Sequence, residues 1–137
     1  MRKKLINYIK IPKIKDDCDL YFAENQKNIP FEIKRIYYIM RSKPNQPRGF
    51  HAHHKTKQVL FCIQGSARIV LDNGNKRKEI KLNKPNVGIF LDRLIWHEMH
   101  KLNADTILLI IASEKYDPHD YIREYKKFLE IAKNEAN

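Results

Sequence analysis

Arg48-Gly49-Phe50-His51-Ala52-His53-His54-Lys55-Thr56-Lys57-Gln58 leads into Val59-Leu60-Phe61-Cys62-Ile63 and closes at Gln64-Gly65-Ser66. Strand side chains point alternately to opposite faces, so a strand through this segment sets His51 and His53 on one face and Ala52 on the other. The apolar run after Gln58 does not alternate, which marks a strand covered on both sides. Gly65 then supplies a turn. Two imidazoles on one strand face, with a glycine ahead of them and a polar Gln58 behind, make a candidate pocket wall. An isolated strand histidine is ordinarily a hydrogen-bonded core or surface residue, and His54, His100 and His119 are read that way.

Outward from this segment the chain reads as short β-branched and aromatic runs between turn signals, the pattern of an all-β sandwich or barrel. Residues 5–11 and 20–23 are two such runs, separated by the polar turn Asp16-Asp17-Cys18-Asp19. Residues 31–40 predict a long strand, with Ile33, Arg35, Tyr37 and Ile39 on one face and Lys34, Ile36, Tyr38 and Met40 on the other. Asp72-Asn73-Gly74-Asn75 predicts a hairpin, because Asn-Gly accepts the positive φ of a tight turn. Residues 87–91, 94–100 and 106–113 supply three more strands. Asp117 as a cap, Pro118 in the first turn and Asp120 at the positive end of the dipole then predict a helix over about 118–135. Its apolar stripe is Tyr121, Ile122, Tyr125, Phe128, Leu129 and Ala132, read as packing against the barrel. No repeat or linker interrupts residues 1–137, so a single domain is expected.

At 137 residues the chain can bury one core. Its 27 Lys and Arg against 16 Asp and Glu give a formal charge of +11. The lysines are dispersed, and no helix-turn-helix, zinc-finger spacing or RNA-binding aromatic signature accompanies them. The charge therefore points to a small phosphorylated ligand, with nucleic acid not expected as a partner. No apolar run approaches the ~20 residues that span a bilayer, so no membrane partner is expected. The opening Met1-Arg2-Lys3-Lys4-Leu5-Ile6-Asn7-Tyr8 lacks the apolar core of a secretion signal. Cys18 and Cys62 set no disulfide framework, and a cytoplasmic location is expected.

A second histidine cluster lies in Ile95-Trp96-His97-Glu98-Met99-His100, where His97 and Met99 share one strand face and Trp96, Glu98 and His100 the other. Two chemistries suit His51, His53 and His97 beside Gln58. Three neutral imidazoles can hold Zn, Fe, Mn or Ni with the Gln58 amide oxygen as a weak fourth ligand. Alternatively the rings stay metal-free and act as general base and acid near neutral pH, where imidazole ordinarily titrates. With no carboxylate to offset a dication in so basic a chain, the second chemistry is favoured, with no metal and no cofactor.

The glycine, His51-x-His53, Gln58 and Gly65 resemble the first motif of the cupin superfamily, and His97 resembles the histidine of the second. The resemblance implies a mainly β fold, a cupin double-stranded β-helix or jelly-roll barrel, here followed by a C-terminal α-helix. Gln58 departs from the glutamate that metal-binding cupins place there. A narrower likeness follows from Ile29-Pro30-Phe31-x-Ile33-Lys34-Arg35-x-Tyr37-Tyr38, Arg48-Gly49-x-His51-Ala52-His53, Gln58-Val59-Leu60, Trp96-His97-Glu98-Met99 and Asp120-Tyr121-Ile122-Arg123. That series is similar to the sugar nucleotide 3,4-ketoisomerases and spans residues from about 5 to 129. Asp92-Arg93 departs from the Gly-Pro of related sequences, and Asp17-Cys18-Asp19 from a turn that commonly contains glycine.

The resemblance implies a dTDP-linked 4-keto-6-deoxy sugar as ligand and transfer of its ketone from C4 to C3 in 3-amino-3,6-dideoxy sugar biosynthesis. His51 and His53 are the expected catalytic pair, with His53 favoured as the base at C3. His97 stands where the family presents a residue linked to product configuration, and a histidine there favours dTDP-3-keto-6-deoxy-D-galactose. Arg35, Arg48 and Lys57 are candidates for the diphosphate. Tyr37 is expected to bind the sugar or diphosphate and Gln58 a sugar oxygen. A homodimer with exchanged N-terminal strands is expected, because an unpaired strand at residues 5–11 is an aggregation liability. The rival readings are a sugar nucleotide 3,5-epimerase, a noncatalytic cupin and a metal-dependent one.

Overall fold

The computed structural model describes residues 4–136. Its strands are β1 (Tyr8–Lys10), β2 (Lys13–Lys15), β3 (Asp19–Tyr21), β4 (Arg35–Ile39), β5 (Arg48–His53), β6 (Gln58–Gln64), β7 (Ala67–Asp72), β8 (Arg77–Leu82), β9 (Val87–Leu91), β10 (Trp96–His100), β11 (Ile107–Ala112) and β12 (Tyr121–Ile122), followed by the helix α1 (Tyr125–Ala136). Two five-stranded sheets face each other, ordered β1-β9-β6-β11-β4 and β12-β5-β10-β7-β8, while β2 and β3 form a separate hairpin. All the strand pairs are antiparallel. This is the expected cupin jelly roll with one C-terminal helix.

Alternation explains how three apolar layers arise from two sheets. Leu60 and Cys62 of β6, Ile69 and Leu71 of β7, Met99 of β10 and Leu108 and Ile110 of β11 fill the space between the sheets. Val59 and Phe61 point the other way, with Ile111, and are covered by Ile29 and Phe31. On the far side Ala52, Trp96 and Ile122 pack under Phe128 and Ala132 of α1. The continuous apolar run at residues 59–62 is thus buried on both sides, and the residue after it, Ile63, already reaches solvent. The hairpin at Asp72-Asn73-Gly74-Asn75 forms between β7 and β8, with Gly74 at φ 88°.

Two expectations about element limits are corrected. The strand predicted over residues 31–40 is regular only from Arg35, because Phe31 leaves the sheet to cover its outer face. The helix predicted over 118–135 starts at Tyr125. Asp117 does act as a cap, accepting a hydrogen bond from the His119 N–H, but of the single 3-10 turn Pro118–Asp120. Asp120 then accepts bonds from the N–H groups of Lys55 and Thr56 and from the Thr56 hydroxyl. That carboxylate holds the chain against the loop after β5, and Tyr121 and Ile122 pair with His53 and Ala52 as a strand. Helical φ/ψ is excluded there until the chain clears β5.

Candidate active site

His51 and His53 owe their direction to an irregularity in β5. Opposite it, His97 pairs with His51 and Glu98 with Gly49, so Phe50 is bulged out of the ladder. Gly49 and Phe50 both have positive φ, 92° and 60°. Such a bulge re-aims the side chains that follow it. A Cβ on residue 49 would lie 2.9 Å from the His97 carbonyl oxygen, so only glycine allows β5 and β10 to approach here. The glycine ahead of the histidines therefore sets the spacing between the two strands that carry the imidazoles.

His51, His53 and His97 converge. Their ring centroids are 5.0 Å apart for His51 and His53, 4.7 Å for His51 and His97, and 5.8 Å for His53 and His97. One ring nitrogen of each lies within 4.8 Å of the others. His51 Nδ1 sits 3.1 Å from the Gly49 carbonyl oxygen, and His97 Nδ1 3.1 Å from that of Ile95. In both, Nδ1–H donates, which leaves Nε2 as the lone pair facing the cluster. His53 is 3% exposed, and its Nε2 has no hydrogen-bond partner.

Burial and mutual repulsion keep all three rings uncharged. Desolvation, then the His97 and His53 charges, push His51 down to about 2. Desolvation, His97, Arg35 and Arg123 push His53 down to about 3. Desolvation alone outweighs the Ile95 hydrogen bond and brings His97 down to about 4. At neutral pH the cluster is three neutral bases.

Around the imidazoles runs a rim of phenols and guanidiniums. Gln58 is fully buried and its Nε2 donates to Tyr37 Oη at 2.7 Å. The Arg35 guanidinium lies over the Tyr37 ring at 5.2 Å and the Tyr116 ring at 5.8 Å, and its buried Nε has no partner. Desolvation raises the Tyr37 phenol, opposed by the Gln58 hydrogen bond and by the charges of Arg35 and Arg48. The positive field of Arg48 thus reaches the same corner, although its own side chain is exposed.

The structure brings together His51, His53, His97, Gln58, Tyr37 and Arg35, with Arg48 at the edge. Lys57 is different, because it joins Ser113 through its main chain. Its N–H donates to Ser113 Oγ and its carbonyl accepts from Ser113 N–H, one residue out of phase with the inward Gln58. Tyr121 and Arg123 were not among the expected site residues. The Tyr121 ring lies 4.9 Å from His51 and 4.6 Å from His53, and Arg123 stacks on it at 4.4 Å. Reading residue 121 as part of an apolar helix stripe concealed it. Strand pairing of Tyr121 with His53 is what turns its ring inward.

Comparison with known proteins adds a family to this geometry. The family model described as FdtA, WxcM-like, C-terminal, matches residues 4–133. A TDP-4-oxo-6-deoxy-alpha-D-glucose-3,4-oxoisomerase of Aneurinibacillus thermoaerophilus is 48% identical over 128 residues, covering 93% of this chain and 91% of that protein. A 3,4-ketoisomerase from Helicobacter canadensis has a solved structure 43% identical, with a TM-score of 0.90 over 93% of this chain and 97% of its own. A sugar 3,4-ketoisomerase from Thermoanaerobacterium thermosaccharolyticum, solved with TDP, is 40% identical, with a TM-score of 0.91 over 95% and 96% of the two chains. A mutant of that enzyme has been solved with TDP-4-keto-6-deoxyglucose.

Proposed function

The chain belongs to the FdtA-like family, and on that premise we propose that it is a TDP-sugar 3,4-ketoisomerase acting on dTDP-4-keto-6-deoxy-D-glucose. The observation that carries this reading is the cluster of three neutral imidazoles, with the His53 Nε2 nitrogen buried and unpartnered. A ketone at C4 acidifies the C3 hydrogen, because the carbanion delocalises into an enediolate. His53 removes the C3 proton. The O3 hydroxyl loses its proton, O4 gains one, and a proton delivered to C4 leaves the ketone at C3. Electrons move only within the sugar, so the net change is an isomerisation. His51, 5.0 Å from His53, is the second member of the proton-transfer pair.

Substrate charge has a part in this chemistry. A base titrating near 3 is too weak for efficient proton abstraction at neutral pH. The Arg35 and Arg123 charges contribute to that depression at His53. A diphosphate laid against those guanidiniums cancels their field and returns the imidazole toward its ordinary range. Arg35 and Arg48 bind the diphosphate in this reading, and Arg35, with Arg123, also tunes the base. Gln58 orients Tyr37 through its amide, so the phenol is the closer candidate for a sugar oxygen. Lys57, with its main-chain pairing to Ser113, takes an outer role with the diphosphate.

The test is turnover of dTDP-4-keto-6-deoxyglucose in deuterated water followed by NMR. The expected product has its ketone at C3 and deuterium at C4. In a parallel reaction in ordinary water, the small H4–H5 coupling of a galacto product, dTDP-3-keto-6-deoxy-D-galactose, is expected. A product whose ketone stays at C4 while C3 and C5 exchange would make the protein an epimerase instead.

Pairing of two copies belongs to the same reading. β1 joins the sheet through three residues, Tyr8 to Lys10, against Val87 to Ile89 of β9 within one chain. Outward on the opposite edge strand β4, Ile36 is 59% and Tyr38 65% exposed. A homodimer exchanging β1 in the same register would keep every β1–β9 bond. Light scattering should return twice the chain mass, and deletion of residues 1–10 should return the single mass. A monomer at micromolar concentration would overturn the exchange.

A further inference from the structure

We propose that Tyr121 is a positioning residue for the imidazole pair, its ring fixing the planes of His51 and His53. The clustered imidazoles are not held alike. Nδ1 of His51 donates to the Gly49 carbonyl and Nδ1 of His97 to that of Ile95, each at 3.1 Å. Such a bond sets the tautomer and restrains the ring. Among the described residues no hydrogen bond holds the His53 ring, whose Nε2 is buried without a partner. Imidazole χ2 is a soft torsion with broad wells, so packing has to orient this ring. Its nearest ring is Tyr121, with centroids 4.6 Å apart and planes inclined at 64°. His51 meets the same ring at 4.9 Å and 66°. Both are edge contacts of the kind aromatic pairs favour.

Tyr121 is itself anchored by its neighbours in the run Asp120-Tyr121-Ile122-Arg123. It is the cross-strand partner of His53, as Ile122 is of Ala52. Ile122 turns the other way and is buried with Ala52, Trp96 and Phe128 on the α1 side of the sheet. Ahead of the ring, the Asp120 carboxylate accepts from the N–H groups of Lys55 and Thr56 at 2.7 and 3.2 Å, and its carbonyl accepts from that of His54 at 2.9 Å. Behind it in the chain, the Arg123 guanidinium lies over the Tyr121 ring at 4.4 Å, a cation–π contact. A strand as short as β12 would fray on its own. These contacts tie it to the segment that follows His53, so the wall and the base it faces are fixed in one frame.

The kinetic consequence rests on the proposed isomerase reading, whereas the packing does not. Proton abstraction needs the base and the reacting carbon in a near-attack geometry, and a misplacement of about 1 Å can cost on the order of 10²-fold. A His53 ring free to turn about χ2 spends less of its time in the productive plane, which lowers kcat. The diphosphate is held by other side chains, so KM should change little. The contact with the imidazoles is made by the Tyr121 ring, so phenylalanine can supply it and an aliphatic side chain cannot.

The experiment has an arm without sugar and an arm with it, both on the full chain. In histidine-labelled protein, NMR should show Overhauser contacts from the Tyr121 ring protons to the rings of both His51 and His53. Their absence would overturn the proposal. In the second arm Tyr121→Leu, checked for native far-ultraviolet dichroism, should lower kcat for dTDP-4-keto-6-deoxyglucose by about 10–10²-fold with KM within a few-fold. The isotope effect with substrate deuterated at C3 should rise in that variant, because proton abstraction becomes the slow step. Tyr121→Phe should recover most of the lost kcat. Unchanged kcat in the leucine variant, or a raised KM alone, would overturn the positioning role. A phenylalanine variant as slow as the leucine one would overturn it too, by making the hydroxyl the working group. If the leucine variant loses native dichroism, the Overhauser contacts and the phenylalanine variant still decide. A parent protein that shows the contacts but never converts the sugar would refute the isomerase reading and leave the placement of Tyr121 standing.

Discussion

His53→Asn should reduce keto transfer by about 10²–10⁴-fold, the usual contribution of a positioned general base. TDP affinity should stay within a few-fold of the parent. Asparagine keeps a polar side chain of similar reach but has no basic lone pair, so it tests proton abstraction and not the filling of space. His53 is nearly sealed from solvent, which denies a water molecule easy access as a substitute base. His51 is the only other ring on the same strand face. Its Nε2 starts from a different position, with ring centroids 5.0 Å apart, so it serves as a poor replacement. Two measurements separate the outcomes: single-turnover conversion followed by NMR, and calorimetric binding of TDP. Loss of conversion with binding retained is the expected pair. Normal conversion would remove His53 from the base role, and loss of both would mean the variant had disturbed the pocket as a whole.

Much of this site is written in local sequence patterns. Alternation put His51 and His53 on one face and placed His97 on the face shared with Met99, which lies in the core between the sheets. The nonalternating run after Gln58 fixed β6 as a central strand buried on both sides. Other features depend on contacts between distant parts of the chain, and local periodicity cannot carry them. The spacing of Tyr121, Ile122, Tyr125 and Phe128 is as good a helix stripe as it is two strand residues followed by a helix. What decides is the pairing of Tyr121 with His53 and the grip of Asp120 on Lys55 and Thr56. The same blindness hid Arg123, whose place beside the cluster follows only from that strand. Arg35 and Tyr37 were legible as a face, but the direction of the Gln58 amide toward Tyr37 comes from two different strands of one sheet.

Acid should unfold this protein well before its carboxylates titrate. His51, His53 and His97 have folded-state values of about 2, 3 and 4, against about 6.5 once the chain unfolds. Between those limits the unfolded chain takes up protons that the native cluster refuses. Stability therefore rises with pH across this window, is fully present above about 6.5, and is lost as pH falls. Each refused proton adds about 1.4 kcal/mol per pH unit to the slope, so three rings give a slope of roughly 4 kcal/mol per unit near pH 5. A marginal stability of ~5–15 kcal/mol cannot survive that slope for more than a few units. The urea midpoint should fall steeply between pH 7 and pH 4.5, with close to three protons taken up on unfolding. His97→Asn should lower the uptake by one and flatten the curve. A midpoint unchanged from pH 7 to pH 5 would mean that the rings titrate normally and reach solvent. The same property bears on catalysis, because a cluster that stays neutral keeps its base available at pH values where a free imidazole is already protonated. For the free enzyme, kcat/KM should then show no acid limb at 6.5. Poor acid tolerance and a base that is unprotonated at neutral pH thus have one physical origin, the burial of three adjoining imidazoles.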